Sequence, residues 1–261
     1  MGHSKISGVI ITFNEENNLR RCINSLIPVV DEIVVVDSFS TDATKNTALE
    51  LGAIFIENEF KGHIEQKNFA VAQAKHDFIL SLDADEALSP LLMETILKIK
   101  NNPTHQAYAI NRITSYCGQW IRHSGWYPDR KVRLWNKNIG KWTGENPHDK
   151  VTIKDGVSIG LIKKDILHYS FPTISSHAQT ADNFSEIAAK ESFKKGKKAN
   201  LLVHIVLNPA FTFFKKYIID RGFLDGYNGF VIAVLSAHSN FLKYTKLRAL
   251  YAKNNEKNTD I

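Results

Sequence analysis

Four times in its first hundred residues the chain passes from an apolar run to an amphipathic stretch, and this alternation limits the fold more than any other feature. SGVIITF (Ser7 to Phe13) is β-branched at its centre and predicts a buried strand. Leu19, Cys22, Ile23, Leu26 and Ile27 then recur at helical spacing. Asn14 is a candidate N-cap, and Glu15 and Glu16 suit the first turn. EIVVVDS (Glu32 to Ser38) predicts a second strand, after which Ser40 or Thr41 can cap a helix that Gly52 stops. AIFIEN (Ala53 to Asn58) and DFILSLDA (Asp77 to Ala84) predict two more strands, with a helix from about His63 to Ala74 between them. Ser89-Pro90 opens a further helix that ends before Pro103. Continuous apolar strands between amphipathic helices make an α/β fold with a mostly parallel central sheet covered on both faces.

Such sheets bind ligands in the crevice outside the C-terminal strand ends. Polar residues of the right kind fall there: Thr12 and Asn14, then Asp37, then Asp83 and Asp85. Asp83 and Asp85 flank the small Ala84, a D-x-D spacing that lets both carboxylates approach one hard cation, Mg²⁺ or Mn²⁺. The bland alternative is a helix cap and a solvated acid. Asp37 can accept hydrogen bonds from a base or a ribose, or cap the next helix. Neither G-x-G-x-x-G nor G-x-x-x-x-G-K-[ST] is present, which speaks against a dinucleotide fold and a P-loop.

From Ala107 onward, AYAINRITSY and KVRLWNK predict strands around an aromatic loop, WIRHSGWYPDR, and GENPHDKV predicts a loop. In that aromatic segment Trp126 can stack on a sugar, and Arg130 and Arg133 can pair with phosphate. The competing reading is a packing loop with an ion pair from Asp129 to Arg130 or Lys131. After Phe171 the pattern is helical, with a boundary near Ser170 that divides residues 1–170 from a helical extension, 171–261.

ITFNEENNLRRCINSL, EIVVVDSFSTDAT, QKNFA, LSLDADE and GWYPDRKVRLW occur in this order. Together they resemble family 2 glycosyltransferases of the GT-A (Rossmann-like) fold, in particular the subgroup similar to lipopolysaccharide-core β-1,4-glucosyltransferases. The resemblance covers about Ile6 to Tyr169. It implies an inverting, metal-dependent transfer of a hexose, such as glucose, from a nucleotide sugar, a UDP-sugar first of all, to a hydroxyl of a glycolipid. It further implies donor contacts from Thr12, Asn14, Glu15, Asp37, Lys67, Asp83 and Ala84, and a metal site from Asp83, Asp85 and His168. Two departures stand out. Phe39 occupies a position where the family usually has glycine, and Pro147-His148-Asp149 stands where the subgroup commonly reads V-H-E. Asp149 is the expected general base, with Glu145 in reserve; the structural alternative pairs Asp149 with His148 or Lys150. Inversion needs no enzyme nucleophile, and no Ser-His or Cys-His arrangement suggests one.

The charge is uneven. Of 33 basic and 27 acidic residues, 13 and 6 lie from Glu186 to the end, a net of +7; the remaining 20 and 21 give −1. Two apolar stretches, ANLLVHIVLNPAFTFF and GFVIAVLSAHSNFL, lie among those lysines. Each is shorter than the ~20 residues needed to span a bilayer. They predict either interfacial helices on an anionic membrane surface or a buried helical pair. Nucleic acid is disfavoured because no reader motif accompanies the charge. Two cysteines without metal-ligand spacing, and no N-terminal signal pattern, point to the cytoplasm, peripheral at the inner face of a bacterial membrane. Other readings of the whole chain are a polyprenyl-phosphate glycosyl synthase, a nucleotidyltransferase and a non-catalytic binding module.

Overall fold

The computed structural model describes residues 4–145 and 148–259. The chain divides into two compact units, Met1–Ile113 with Pro128–Tyr169, and Thr114–Tyr127 with Ser170–Ile261. The segment 114–127 therefore belongs with the C-terminal residues.

The expected alternation is present as β1 (Ile6–Thr12), α1 (Leu19–Leu26), β2 (Glu32–Asp37), α2 (Thr44–Glu50), β3 (Ile54–Glu57), α3 (His63–Gln73) and β4 (Phe78–Asp83). A three-residue strand that sequence reading did not find, β5 (Glu86–Leu88), precedes α4 (Pro90–Asn101). Ser89 caps α4 by accepting from Leu92 N, and Pro90 starts it where a missing N–H costs nothing. Then come β6 (Ala107–Tyr116), β7 (Gln119–Ile121), β8 (Asp129–Asn136), β9 (Gly140–Glu145), β10 (His148–Ile153) and β11 (Ile159–Phe171).

The sheet order is β3-β2-β1-β4-β8-β6-β11-β5. The first four strands are parallel, and β8 joins β4 antiparallel. Apolar side chains leave both faces of this sheet. Ile6, Ile10, Leu80 and Leu82 pack with Leu19, Ile23 and Leu26 of α1, while Val9, Val34 and Val36 pack with Ala70 and Val71 of α3. Each fully buried Leu or Ile contributes about 1.5–3 kcal/mol. Cys22 is a packed core residue, as its place on the α1 stripe suggests. Burial foremost, then the nearby carboxylates of Glu86, Asp85 and Asp83, pushes its thiol far up, which keeps it unreactive.

Three expectations change. Asn14 does not cap α1, which starts at Leu19; it sits at φ +54° and its side-chain oxygen accepts from Thr41 N (2.9 Å). Ser40 and Thr41 do not cap α2, which starts at Thr44, because Ser40 is used by Asp37. The loop expected over GENPHDKV is a hairpin of β9 and β10, with Pro147 outside the described residues. The hairpin forms because its cross-strand pair Trp142–Val151 is buried in the α3-side core.

In the second unit β7 pairs with the last residues of β6. The helices α5 (Ile174–Lys194), α6 (Asn208–Phe214) and α7 (Gly226–Thr259) follow. Tyr116, Ile121 and Ile232 form a small core with Trp126 and Phe171. The apolar stretch is longer than sequence reading allowed: Leu201–Ile219 is helical throughout, and by length and composition it could cross a membrane. Pro209 does not interrupt it, because Leu201–Leu207 is a π-helix that widens the turn ahead of the proline in α6.

Candidate active site

The parallel strands deliver their last residues to one edge of the sheet. Thr12 and Asp37 end β1 and β2 in register, and Thr12 Oγ1 donates to Asp37 Oδ1 (2.8 Å). Ser40 N donates to Asp37 Oδ2 (2.7 Å) and its hydroxyl to Oδ1. Asp37 is 1% exposed, so in this structure its carboxylate shapes the loop after β2. Phe39 stands in that loop at φ +61°, in the left-handed region that favours glycine, with its ring half out in solvent. The loop thus keeps a conformation that glycine would adopt, at a cost in backbone strain.

Asp83 ends β4. Its Oδ1 meets Lys67 Nζ (2.9 Å) and its Oδ2 meets Arg133 Nη2 (2.9 Å). Burial raises the proton affinity of this carboxyl, but the charges of Arg133 and Lys67 outweigh it and hold it well below the usual range. Ala84 is buried beside it. Asp85 turns elsewhere: its Oδ2 lies 3.1 Å from His168 Nε2, and its carbonyl accepts from Tyr169 N (2.9 Å). The antiparallel pairing of β5 with β11, His168 opposite Glu86, brings this histidine to the aspartate.

Glu86 is the centre of the arrangement. It is fully buried, accepts from Asp83 N through Oε2 (2.9 Å), and from Arg112 Nη1 (2.9 Å) and Arg133 Nη2 (3.0 Å) through Oε1. Arg112 continues to Asp129 (2.6 Å), and Lys131 to Asp129 (3.4 Å). The Asp129 pair therefore runs to Lys131 and Arg112 rather than Arg130, which is exposed on β8. Arg133 is 3% exposed beneath the D-x-D turn, its Nη2 shared by Asp83 and Glu86 while its buried Nε has no hydrogen-bond partner among the described residues; Glu86 and Asp83 raise its proton affinity despite burial.

Lys67 links the D-x-D turn to the hairpin. It is 5% exposed, and besides Asp83 it meets Asp149 Oδ2 at 2.7 Å and lies 4.4 Å over the Trp142 ring. Asn68, next to it on α3, exchanges two hydrogen bonds with the Trp142 backbone (2.9 and 3.0 Å), which fixes hairpin and helix together. Asp149 is thus a strand residue paired with Lys67, not with Lys150. Glu145 is exposed at the end of β9.

Lys67, Arg112, Lys131 and Arg133 balance Asp83, Glu86, Asp129 and Asp149, and Asp85 and Glu15 then add an excess of negative charge. Glu15 feels this excess. Burial first, then the charges of Asp85, Asp42 and Asp83, raise its proton affinity against the opposing bond from Asn18. A surplus of carboxylate charge suits a cation. Among the described residues no three His, Cys, Asp or Glu side chains form a ready metal cage. Asp85 with His168 fits the lighter requirement of Mg²⁺ or Mn²⁺, which take one or two protein ligands and complete their shell with phosphate and water. Asp83 fits less well, since Lys67 and Arg133 already neutralise its charge.

Trp126 lies in the other unit, its ring 5.9 Å from Tyr116 and 5.6 Å from Phe171, where it serves packing. Sequence reading missed Arg112 and Trp142. A charged residue in the apolar strand AYAINRITSY was the available signal for Arg112; Trp142 gave none.

An α/β sheet with a polar site beyond its parallel strand ends, extended by antiparallel strands and a C-terminal helix, is a GT-A-type fold. The chain belongs to glycosyl transferase family 2, whose model matches residues 7–163. It is 34% identical over 259 residues to an uncharacterized glycosyltransferase of Rickettsia typhi, covering 95% of this chain and 88% of that one. It is 24% identical to the lipopolysaccharide core biosynthesis glycosyltransferase LpsC of Rhizobium meliloti, covering 98% and 96%. A solved glucosyl-3-phosphoglycerate synthase of Mycobacterium tuberculosis, in complex with Mg²⁺ and UDP, overlaps 41% of this chain and 43% of its own at 26% identity and TM-score 0.36. That overlap is too partial to transfer ligands.

Proposed function

We propose that this glycosyltransferase moves a hexose, with inversion, from a UDP-sugar to a glycolipid of the lipopolysaccharide-core kind, at an anionic membrane surface on the cytoplasmic side. The observation that carries the reading is Lys67, which joins Asp83 and Asp149 in one centre at the strand ends. The likeness to the Rhizobium core glycosyltransferase over nearly the whole chain supports the acceptor class.

Asp85 and His168 would hold the divalent ion, and that ion, when bound, supplies Lewis-acid neutralisation of the departing diphosphate. Thr12, Asn14 and Glu15 line the first donor loop. Asp83, held ionised by Lys67 and Arg133, offers acceptor oxygens to the donor's hydroxyls. Asp149 takes the proton of the acceptor hydroxyl as that oxygen attacks the anomeric carbon, a step for which a placed base contributes about 10²–10⁴-fold. Lys67 holds only Oδ2 of Asp149, which leaves Oδ1 for the proton.

The test incubates the chain with nucleotide sugars, Mn²⁺ and a bacterial glycolipid fraction. Nucleoside diphosphate and a glycosylated lipid of inverted anomeric configuration are the expected products. Release of pyrophosphate would reveal nucleotidyl transfer. Transfer confined to polyprenyl phosphate would reveal a synthase whose acceptor needs no base, and absence of turnover with every acceptor would reduce the chain to a binding module.

A further inference from the structure

The helix Leu201–Ile219 wears its chemistry inside out. Along it, two exposed residues alternate with two half-buried ones: 202 and 203, 206 and 207, 210 and 211, 214 and 215, 218 and 219 face out. An α-helix turns every 3.6 residues, so a strict period of four would wander around its surface. Here it does not wander. Leu201–Leu207 and Lys215–Ile219 are π-helical and wind more residues per turn, and they bracket the α-helical Asn208–Phe214. The mixture keeps each fourth residue on one side, and the exposed stripe stays straight along the helix.

That stripe is apolar. Val203, Leu207, Phe211, Phe214 and Ile218 are 45–59% exposed. The polar groups turn inward: Thr212 accepts from Asn240 Nδ2 (2.7 Å), the His204 ring lies 4.8 Å from Tyr244, and Lys216 Nζ donates to Ser124 O (2.9 Å). A water-facing helix shows the reverse pattern. The apolar surface continues past the helix through Phe223, Leu224 and Tyr227, which is 71% exposed. Directly before the helix stand four exposed lysines, Lys194, Lys195, Lys197 and Lys198, and Lys215 lies on the stripe itself.

Both ends of the helix are tied to the same unit. Arg248 donates to Ala199 O at one end (3.4 Å). At the other, Ser124 N donates to Asp220 O (2.9 Å), and the buried Asp225 accepts from Arg122 N and His123 N (3.1 and 3.0 Å). The helix lies along α7, which also packs against α5, with Ser239 donating to Ala181 O and Lys246 to Asp182. A transmembrane orientation would draw α5, with its exposed Asp182 and Lys190, and the β6–β7 backbone into hydrocarbon.

We propose that this stripe lies flat in one leaflet of an anionic bilayer, the apolar side chains in the headgroup–acyl boundary and the lysines among the phosphates. This deepens the membrane contact proposed above and rests on it. The straight stripe matches a flat surface, and the lysine cluster before the helix selects anionic lipid, whereas Lys215 is paired with Asp220 (2.9 Å).

Flotation of the full chain with vesicles of phosphatidylglycerol and phosphatidylethanolamine tests this, with the double variant Leu207→Asp/Phe211→Asp. The wild type is expected to float, to be released by an alkaline carbonate wash, and to lose affinity as salt rises. The variant is expected to lose at least tenfold in vesicle partition with unchanged urea unfolding. Equal partition of the variant overturns the proposal, and resistance to carbonate overturns the one-leaflet geometry in favour of a span. A wild-type dimer that ignores vesicles, and that the variant turns into a monomer, would make a second copy the occupant. Vesicle binding is read without donor or metal, so its failure is distinguishable from failure of the glycosyl-transfer reading.

Discussion

Asp83 and Phe211 stand at opposite extremes. Around Asp83 the chain takes charge out of water and pairs it, with Lys67, Arg133, Arg112 and Glu86 all within one network. Along Leu201–Ile219 it puts apolar rings into water while its polar groups face inward. Both arrangements are costly for a chain that only has to fold. Buried charge must be fully paired, and large exposed apolar surface marks a contact. The first region carries a negative excess that a cation and a diphosphate can use. The second leaves its apolar side chains about half exposed among the described residues. The difference separates a site of paired charge from an apolar surface, the one for which a lipid contact is proposed.

The two regions should answer mutation in opposite ways. The largest expected effect is on rate: Asp149→Asn should lower kcat of sugar transfer about 10²–10⁴-fold, measured as nucleoside diphosphate release at a temperature where the variant is still folded. Undiminished transfer would remove Asp149 as the base. Next, Glu86→Gln should destabilise the fold by ~3 kcal/mol in equilibrium urea unfolding, because two buried guanidinium groups lose their shared carboxylate. By contrast Phe211→Asp should shift stability by no more than ~0.5 kcal/mol in vesicle-free buffer, since its ring is mostly in solvent. A large loss there would mean that the stripe packs on something within the chain.

The smallest expected effect is a slope. Burial lowers the proton affinity of His177, which lies 3.1 Å from the Tyr116 hydroxyl. The unfolded chain therefore binds this proton more readily, near its ordinary pKa of about 6.5. Stability should fall as pH drops through that value, and the loss should level off once the folded-state group also protonates. His177→Gln should flatten this part of the pH profile of thermal unfolding.

Much of the first region is legible in the sequence because local rules agree there. Apolar runs, helix stripes and Ser89-Pro90 each name their element, and topology then gathers Thr12, Asp37, Asp83 and Asp85 at one edge. What could not be read depends on distant pairing. No local signal says that β11 brings His168 to Asp85, that Asn68 holds the Trp142 hairpin, or that Lys67 reaches Asp149 across 82 positions. The inward role of Arg133 was hidden for the same reason. In the second unit the basic and apolar composition was plain, but the helix length was not. Pro209 is a local signal for an interruption, and the π-helical turns that accommodate it leave no periodicity of 3.6.

The central claim is that the strand-end carboxylates bind a nucleotide sugar through a divalent ion. Calorimetric titration of UDP into the chain with and without Mn²⁺, repeated on Asp85→Asn, tests it most directly. Binding is expected to require Mn²⁺ in the wild type and to be lost in Asp85→Asn, with Leu207→Asp/Phe211→Asp unaffected. Equal affinity of wild type and Asp85→Asn in Mn²⁺, or no UDP binding by either, would contradict it.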